Sequence, residues 1–165
     1  MHQPSFEELY ETYYPALYRY VLLLCRSPAN AQDICQNCFF KVWRGYGGFQ
    51  GKSSVKTWLY SIARNEAISF LRREKAAVPL NDDPAPLHAL LSVEETVCDR
   101  DTAARALRFF DALPEPQKTL CILRALRQSS YGEIAELIGK TEVWCRVTWL
   151  RTKAALLKEL EDDDG

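Results

Sequence analysis

The sequence predicts an all-α chain: two small helical domains joined by a flexible acidic linker. Three observations carry this prediction. Apolar residues recur at three- and four-residue spacing in separate stretches on both sides of residue 80. Between them lies a segment with Pro79, Pro84 and Pro86 among Asn81, Asp82 and Asp83, which offers little apolar surface to bury. Charge is also segregated beneath a net charge of −1. Residues 52–75 hold six cations and two anions, and residues 76–99 hold five anions and no Lys or Arg. Residues 140–158 return to five cations against Glu142 alone.

Each element has its own local signature. Ser5-Phe6-Glu7-Glu8 fits a capping box, and Phe6, Leu9, Tyr10, Tyr13, Leu17, Val21 and Leu24 continue it as a helix over 6–25. Pro15 lies inside that pattern and predicts a kink or a local break near Tyr14. Ser27-Pro28-Ala29-Asn30 reads as a turn before a second helix over 31–44. The apolar stripe of that helix is Ala31, Ile34, Cys35, Cys38, Phe39, Val42 and Trp43, and its other face carries Gln32, Asp33, Gln36, Asn37, Phe40 and Lys41. A polar strip with one exposed aromatic suits a protein contact. Gly45, Gly47, Gly48 and Gly51 then bracket Tyr46 and Phe49 in a flexible loop.

The third helix, over 55–74, has two faces with different uses. Leu59, Ile62, Ala63, Phe70 and Leu71 form its core stripe, while Ser61, Arg64, Asn65, Ser69 and Arg72 fall opposite. Trp58 and Tyr60 add flat rings at the entry. Cations and amides beside exposable rings can hold phosphates while stacking on unpaired bases. Trp58 is open to either use, stacking or core.

Past the linker, weak helix is expected over 87–97. A helix with Ala103, Leu107, Phe110 and Leu113 on one face stops at Leu113-Pro114-Glu115-Pro116. Another, over 117–127, carries Leu120, Leu123, Ala125 and Leu126. Ser130-Tyr131-Gly132-Glu133 is a second capping box opening a short helix with Ile134, Ala135, Leu137 and Ile138 inward. Gly139 ends it, and Thr141 with Glu142 starts the next helix, over 142–160. Short helix, glycine turn and basic helix make a helix-turn-helix, whose second helix would read base edges from its N-terminal half. Arg146, Arg151 and Lys153 lie on it, with Trp144, Val147 and Thr148. The acidic tail Glu159, Glu161, Asp162, Asp163, Asp164 is expected to fray.

Composition narrows the classes. An apolar share of 47% and a charged share of 26% are globular, and no run approaches the roughly 20 apolar residues that span a bilayer. With no signal-like start, the chain is expected to be cytoplasmic and not inserted in a membrane. Cys35 and Cys38 form a C-x-x-C inside an apolar stripe, and with only His2 and His88 elsewhere they are expected to be core residues; no metal or cofactor is expected. The absence of a Ser/His/Asp set, a metal cluster or a phosphate-cradling loop disfavours an enzyme. A free-standing regulator sensing metal or redox state through Cys35 and Cys38 is the alternative function.

Three segments together resemble one family. Ala31-Gln32-Asp33-Ile34-Cys35-Gln36-Asn37-Cys38-Phe39, Trp58-Leu59-Tyr60-Ser61-Ile62-Ala63-Arg64-Asn65 and Tyr131-Gly132-Glu133-Ile134-Ala135-Glu136-Leu137-Ile138-Gly139 resemble, in order and spacing, the extracytoplasmic-function group of bacterial sigma factors in the sigma-70 family. The resemblance implies an RNA polymerase subunit that directs the core enzyme to promoters and helps to melt them. It makes residues 1–76 a region 2-like domain for core binding and the −10 element, 77–96 the linker, and 97–165 a region 4-like domain for the −35 element. It implies that Asp33, Gln36, Asn37 and Phe40 dock on the clamp of the largest polymerase subunit, with a further contact to the flap of the second-largest. Tyr46, Phe49, Lys56, Trp58, Arg64, Asn65, Arg72 and Arg73 become −10 residues, the loop framing a pocket for a flipped base. Thr141, Glu142, Trp144, Arg146, Val147, Thr148 and Arg151 become −35 residues. An anti-sigma factor is an implied partner.

The chain departs from the family pattern in places. Gln32 stands where Glu is usual and Ser69 where Asp is frequent. Val143-Trp144-Cys145-Arg146-Val147-Thr148-Trp149 replaces a commoner Gly-Thr-Val-x-Ser-Arg-Leu, so base preference at the −35 element does not carry over. Trp149 aligns with a core leucine and is expected to be buried.

Overall fold

In a computed structural model, which describes residues 3–74, 100–126 and 128–163, every regular element is helical. The chain divides into two compact units, Met1–Asn81 and Asp82–Gly165. The first contains α1 (Phe6–Cys25), α2 (Pro28–Gly45), a 3-10 turn at Tyr46–Gly48, and α3 (Val55–Glu74). The second contains α4 (Arg100–Ala112), α5 (Gln117–Ala125), α6 (Tyr131–Ile138) and α7 (Glu142–Asp163). The expected linker over 77–96 and the weak helix over 87–97 lie outside the described residues.

The first unit is a three-helix cluster in which each helix packs on the other two. Leu9, Leu17, Tyr20, Val21 and Leu24 of α1 meet Ala31, Ile34, Cys35, Cys38, Phe39 and Val42 of α2, and α3 closes the core with Leu59, Tyr60, Ala63 and Ala67. The capping box of α1 is formed in both directions: the Glu8 amide donates to Ser5 Oγ at 3.2 Å, and the Ser5 amide to Glu8 Oε2 at 2.6 Å. The break expected at Pro15 does not occur, and α1 runs through it. Glu11 and Pro15 both lie on the exposed side, where water can serve the carbonyl that proline leaves without a donor, while buried residues anchor the helix before and after it.

Two further expectations are corrected in this unit. Ser27-Pro28-Ala29-Asn30 is not a separate turn but the start of α2: Ser27 Oγ accepts from the Asn30 amide at 3.3 Å, and Pro28 takes the first helical position, where a missing N–H costs nothing. Tyr60 is not a ring at the surface. It is buried against Tyr20, with ring centroids 5.6 Å apart.

In the second unit α7 packs against α4, α5 and α6. Ala103, Leu107 and Phe110, Leu120 to Leu123, Ile134 and Ala135, and Cys145 form the core, whereas Leu137, Ile138 and Trp149 are only half-buried. Gln117 Nε2 donates to the buried Thr152 hydroxyl at 2.8 Å, which itself donates to the Thr148 carbonyl at 2.7 Å. The acidic tail, expected to fray, is helical as part of α7 through Asp163, and Asp164 lies outside the described residues. Arg105 of α4 reaches its last turns, donating to the Leu160 carbonyl at 2.7 Å and the Glu159 carbonyl at 3.4 Å. The Leu160 carbonyl is among the last four of the helix, and a cation there stabilises a helix C-terminus.

The turn between α6 and α7 depends on Gly139, which sits at φ +71. A Cβ there would meet nothing within 4 Å, so substitution would strain only the backbone. Gly139→Ala should therefore destabilise the chain by about 1 to 2 kcal/mol in urea unfolding, and an unchanged midpoint would contradict the assigned turn geometry.

Candidate polymerase and nucleic-acid interfaces

The core stripe of α2 sets the rotation of the whole helix, leaving Asp33, Gln36, Asn37 and Phe40 exposed on its far side. Trp43, placed in the stripe by its spacing from Phe39, is instead 62% exposed, and its ring lies 6.3 Å from that of Phe40. At about 100° per residue it falls roughly 120° from the centre of the stripe, an angle that spacing alone conceals. The Arg44 guanidinium lies 5.8 Å from the centroid of the Phe40 ring. The outward side of α2 is thus a polar strip ending in two aromatic rings and a cation, and Trp43 is the exposed ring missed from the sequence. On the flank, Lys41 pairs with Glu66 of α3.

The glycine loop is more ordered than its composition suggests. α2 extends through Gly45, and Tyr46–Gly48 forms a 3-10 turn, with Gly51 at φ +70 turning the chain toward α3. The rings of Tyr46, Phe49 and Trp58 gather in one half-buried cluster, with centroids 4.8 Å apart for Phe49–Trp58 and 6.2 Å for Tyr46–Trp58. The rings therefore lie against one another rather than standing around an open pocket. The Tyr46 hydroxyl donates to the Pro4 carbonyl, tying the loop to the segment ahead of α1. Ser54 opens α3 by accepting from the Thr57 amide at 3.1 Å. Beyond the cluster, Lys56 and Arg64 are half-buried and Asn65, Arg72 and Arg73 exposed, so a ring-rich end leads along α3 to a cationic one.

In the second unit, Thr141 Oγ1 accepts from the Trp144 amide at 3.0 Å and caps α7. Glu142 accepts from Arg146 at 3.3 Å. The Tyr131 ring is approached by two guanidinium groups, Arg124 at 4.0 Å and Arg146 at 5.2 Å. Lys140 lies 5.2 Å from the centroid of the half-buried Trp144 ring. The first turns of α7 thus hold cations in place beside aromatic faces. Val147 and Arg151 are exposed on the same helix, and Thr148 is half-buried.

Cys35 and Cys38 are fully buried free thiols, Cys38 Sγ donating to the Leu59 carbonyl at 3.8 Å. Burial, and secondarily the neighbouring Cys25, pushes Cys35 up to about 12 from 9.0. Burial, then Cys35 and Glu66, does the same for Cys38, which also reaches about 12. Among the described residues no group of His, Cys, Asp or Glu side chains is arranged to hold a metal ion. No helix among them is long and apolar enough to cross a membrane.

The first unit thus presents a polar, ring-tipped helix side, and the second, in the same chain, a short helix, a glycine turn and a longer helix. Comparison with known proteins specifies the class. Residues 9–77 match the Sigma-70 region 2 family. The chain is 28% identical to the RNA polymerase sigma factor YlaC of Bacillus subtilis, covering 96% of this chain and 94% of that protein. It is 31% identical to the ECF RNA polymerase sigma-E factor of Haemophilus influenzae, covering 78% and 70% respectively. Its fold matches the sigma factor RpoE of Bartonella quintana, solved in complex with the anti-sigma factor NepR, with a TM-score of 0.69 at 21% identity over 94% of this chain and 96% of that one. The chain belongs to the ECF group of RNA polymerase sigma factors, in the sigma-70 family. It directs RNA polymerase to promoters and is not itself an enzyme. The alternative of a free-standing cysteine-based regulator is set aside by this membership.

The buried thiols yield a signed pH dependence. In the unfolded chain they ionise near 9.0 and in the folded one near 12, so the folded state retains protons that the unfolded state releases in that window. Their contribution to stability is complete below pH 9.0 and is lost as pH rises toward 12. Urea midpoints should fall between pH 8 and pH 10.5, and less so in Cys35→Ala/Cys38→Ala. At pH 8 iodoacetamide should leave both residues unmodified in the folded chain and alkylate them in urea, and rapid labelling of the folded chain would refute their burial.

Proposed function

We propose that the two units divide the work of promoter recognition: residues 1–76 engage core polymerase and the −10 element, and residues 97–165 the −35 element. The observation that carries this division is the disposition of α2. Asp33, Gln36, Asn37 and Phe40 fall within an arc of about 100° on one helix side, all exposed and opposite a fully apolar core stripe. That side, extended by Trp43, docks on the clamp of the largest polymerase subunit, where a buried ring flanked by polar contacts concentrates binding energy.

The Tyr46–Phe49–Trp58 cluster and the cations of α3 then act on the −10 element. Arg64, Arg72, Arg73 and Lys56 hold phosphates, and Asn65 and the rings meet bases of the opened strand. Duplex opening loses stacking, and stacking a base on an aromatic side chain returns about 1 to 3 kcal/mol. A base enters by displacing one ring of the cluster. The N-terminal half of α7 reads the −35 element through Thr141, Glu142, Trp144, Arg146, Val147, Thr148 and Arg151, while the same unit contacts the flap of the second-largest subunit. An anti-sigma factor is a further partner, supported by the kinship with a sigma factor solved in such a complex.

Reconstitution with core polymerase and run-off transcription test the division. Phe40→Ala should weaken core binding about 5- to 30-fold, the loss expected of an interface anchor, and leave the fold intact by circular dichroism. Arg72→Glu should weaken promoter binding by the holoenzyme and leave core binding unchanged. Equal loss of both activities in Arg72→Glu would count against separate interfaces.

A further inference from the structure

Arg146 is exposed in the second turn of α7, on the half of the helix that the −35 reading sends into the groove. An exposed arginine samples many rotamers, and ordering it on a base edge costs binding energy. Here it is ordered from two sides already. Its Nη2 donates to Glu142 Oε1 at 3.3 Å, one turn back, and its guanidinium lies 5.2 Å from the centroid of the Tyr131 ring.

Both supports are themselves fixed. Arg124 of α5 lies over the same ring at 4.0 Å, and its Nη1 donates to the Ser129 carbonyl at 3.2 Å, which ties Tyr131 to the body of the unit. Arg124 is half-buried, an internal brace on the ring. Glu142 opens α7, and its Oε2 stands 3.7 Å from where a Cβ on Gly132 would lie, which places the carboxylate beside the first turn of α6 as well. A carboxylate is stabilised beside helix N-termini. An apolar side chain would fill the half-buried place of Tyr131 equally well, but only an aromatic face also holds a cation. We propose that Tyr131 is a positioning residue for promoter discrimination: with Glu142 it aims the Arg146 guanidinium before DNA is met, and so sets how sharply Arg146 reads its base pair. This rests on the reading of α7 as the −35 helix. Tyr131 acts through Arg146 and not on DNA.

The test measures holoenzyme binding to a mapped promoter and to versions of it with each −35 base pair exchanged in turn. Arg146→Ala should relax discrimination at one base pair by about 5-fold or more, the loss expected of a base contact. Tyr131→Leu should relax the same base pair by about 2- to 10-fold, the cost of ordering a freed side chain, and leave the other positions unchanged. Tyr131→Phe, which keeps the ring, should discriminate as the parent chain does. In the Arg146→Ala background, Tyr131→Leu should have no further effect, because the two residues act as one unit. Equal loss at every position, or further loss in the Arg146→Ala background, would overturn the proposal and assign the ring to backbone contact or to the fold alone. So would unchanged discrimination in Tyr131→Leu where Arg146→Ala relaxes it, a result that leaves the −35 reading standing. If Arg146→Ala relaxes no position, the −35 reading of that residue fails and the proposal falls with it.

Discussion

Cys35, Cys38 and Val42 are completely buried, and their burial fixes the rotation of α2 about its axis. The exposed features of the first unit follow from that rotation. With the stripe turned inward against α1 and α3, the residues half a turn away have no core to enter and stand in solvent. The 3-10 turn that continues α2 then leads to Tyr46 and Phe49 beside Trp58 of α3. A polar residue in the stripe would leave an unsatisfied group in the core or roll the helix, and in either case the outward strip would be disturbed together with the core. The core stripe and the exposed strip are here two sides of one helix, distinguished only by angle.

The ends of elements were legible wherever a short motif sets the backbone by itself. Ser5 with Glu8, Ser130 with Glu133, and Gly139 each act through hydrogen bonds or dihedral preference within four residues, and each is found where the sequence places it. Proline was misread twice because its effect depends on context. Pro28 promotes α2 from its first position, and Pro15 is absorbed on an exposed side. The acidic tail was misread because the contact that holds it comes from Arg105, more than fifty residues earlier in the chain.

Among the candidate interface residues, the α2 strip was legible because a helical period separates it from the core, and Trp43 was not, because it sits at the margin of the stripe. Tyr60 shows the converse error. Its neighbours in sequence suggested a surface role, while its packing partner is Tyr20, forty residues away. The composition of the glycine loop predicts flexibility. Its order comes from ring contacts with α3 and from the Tyr46 hydroxyl, neither of which a local pattern encodes.

The bond from Tyr46 to the Pro4 carbonyl has a practical side. Pro4 lies one residue ahead of the α1 cap, so any polypeptide fused in front of it is tethered at the base of the ring cluster. An affinity tag or fluorescent protein placed there would sit beside the cluster. Cleavable handles, or labels on exposed side chains away from the loop, keep the two apart.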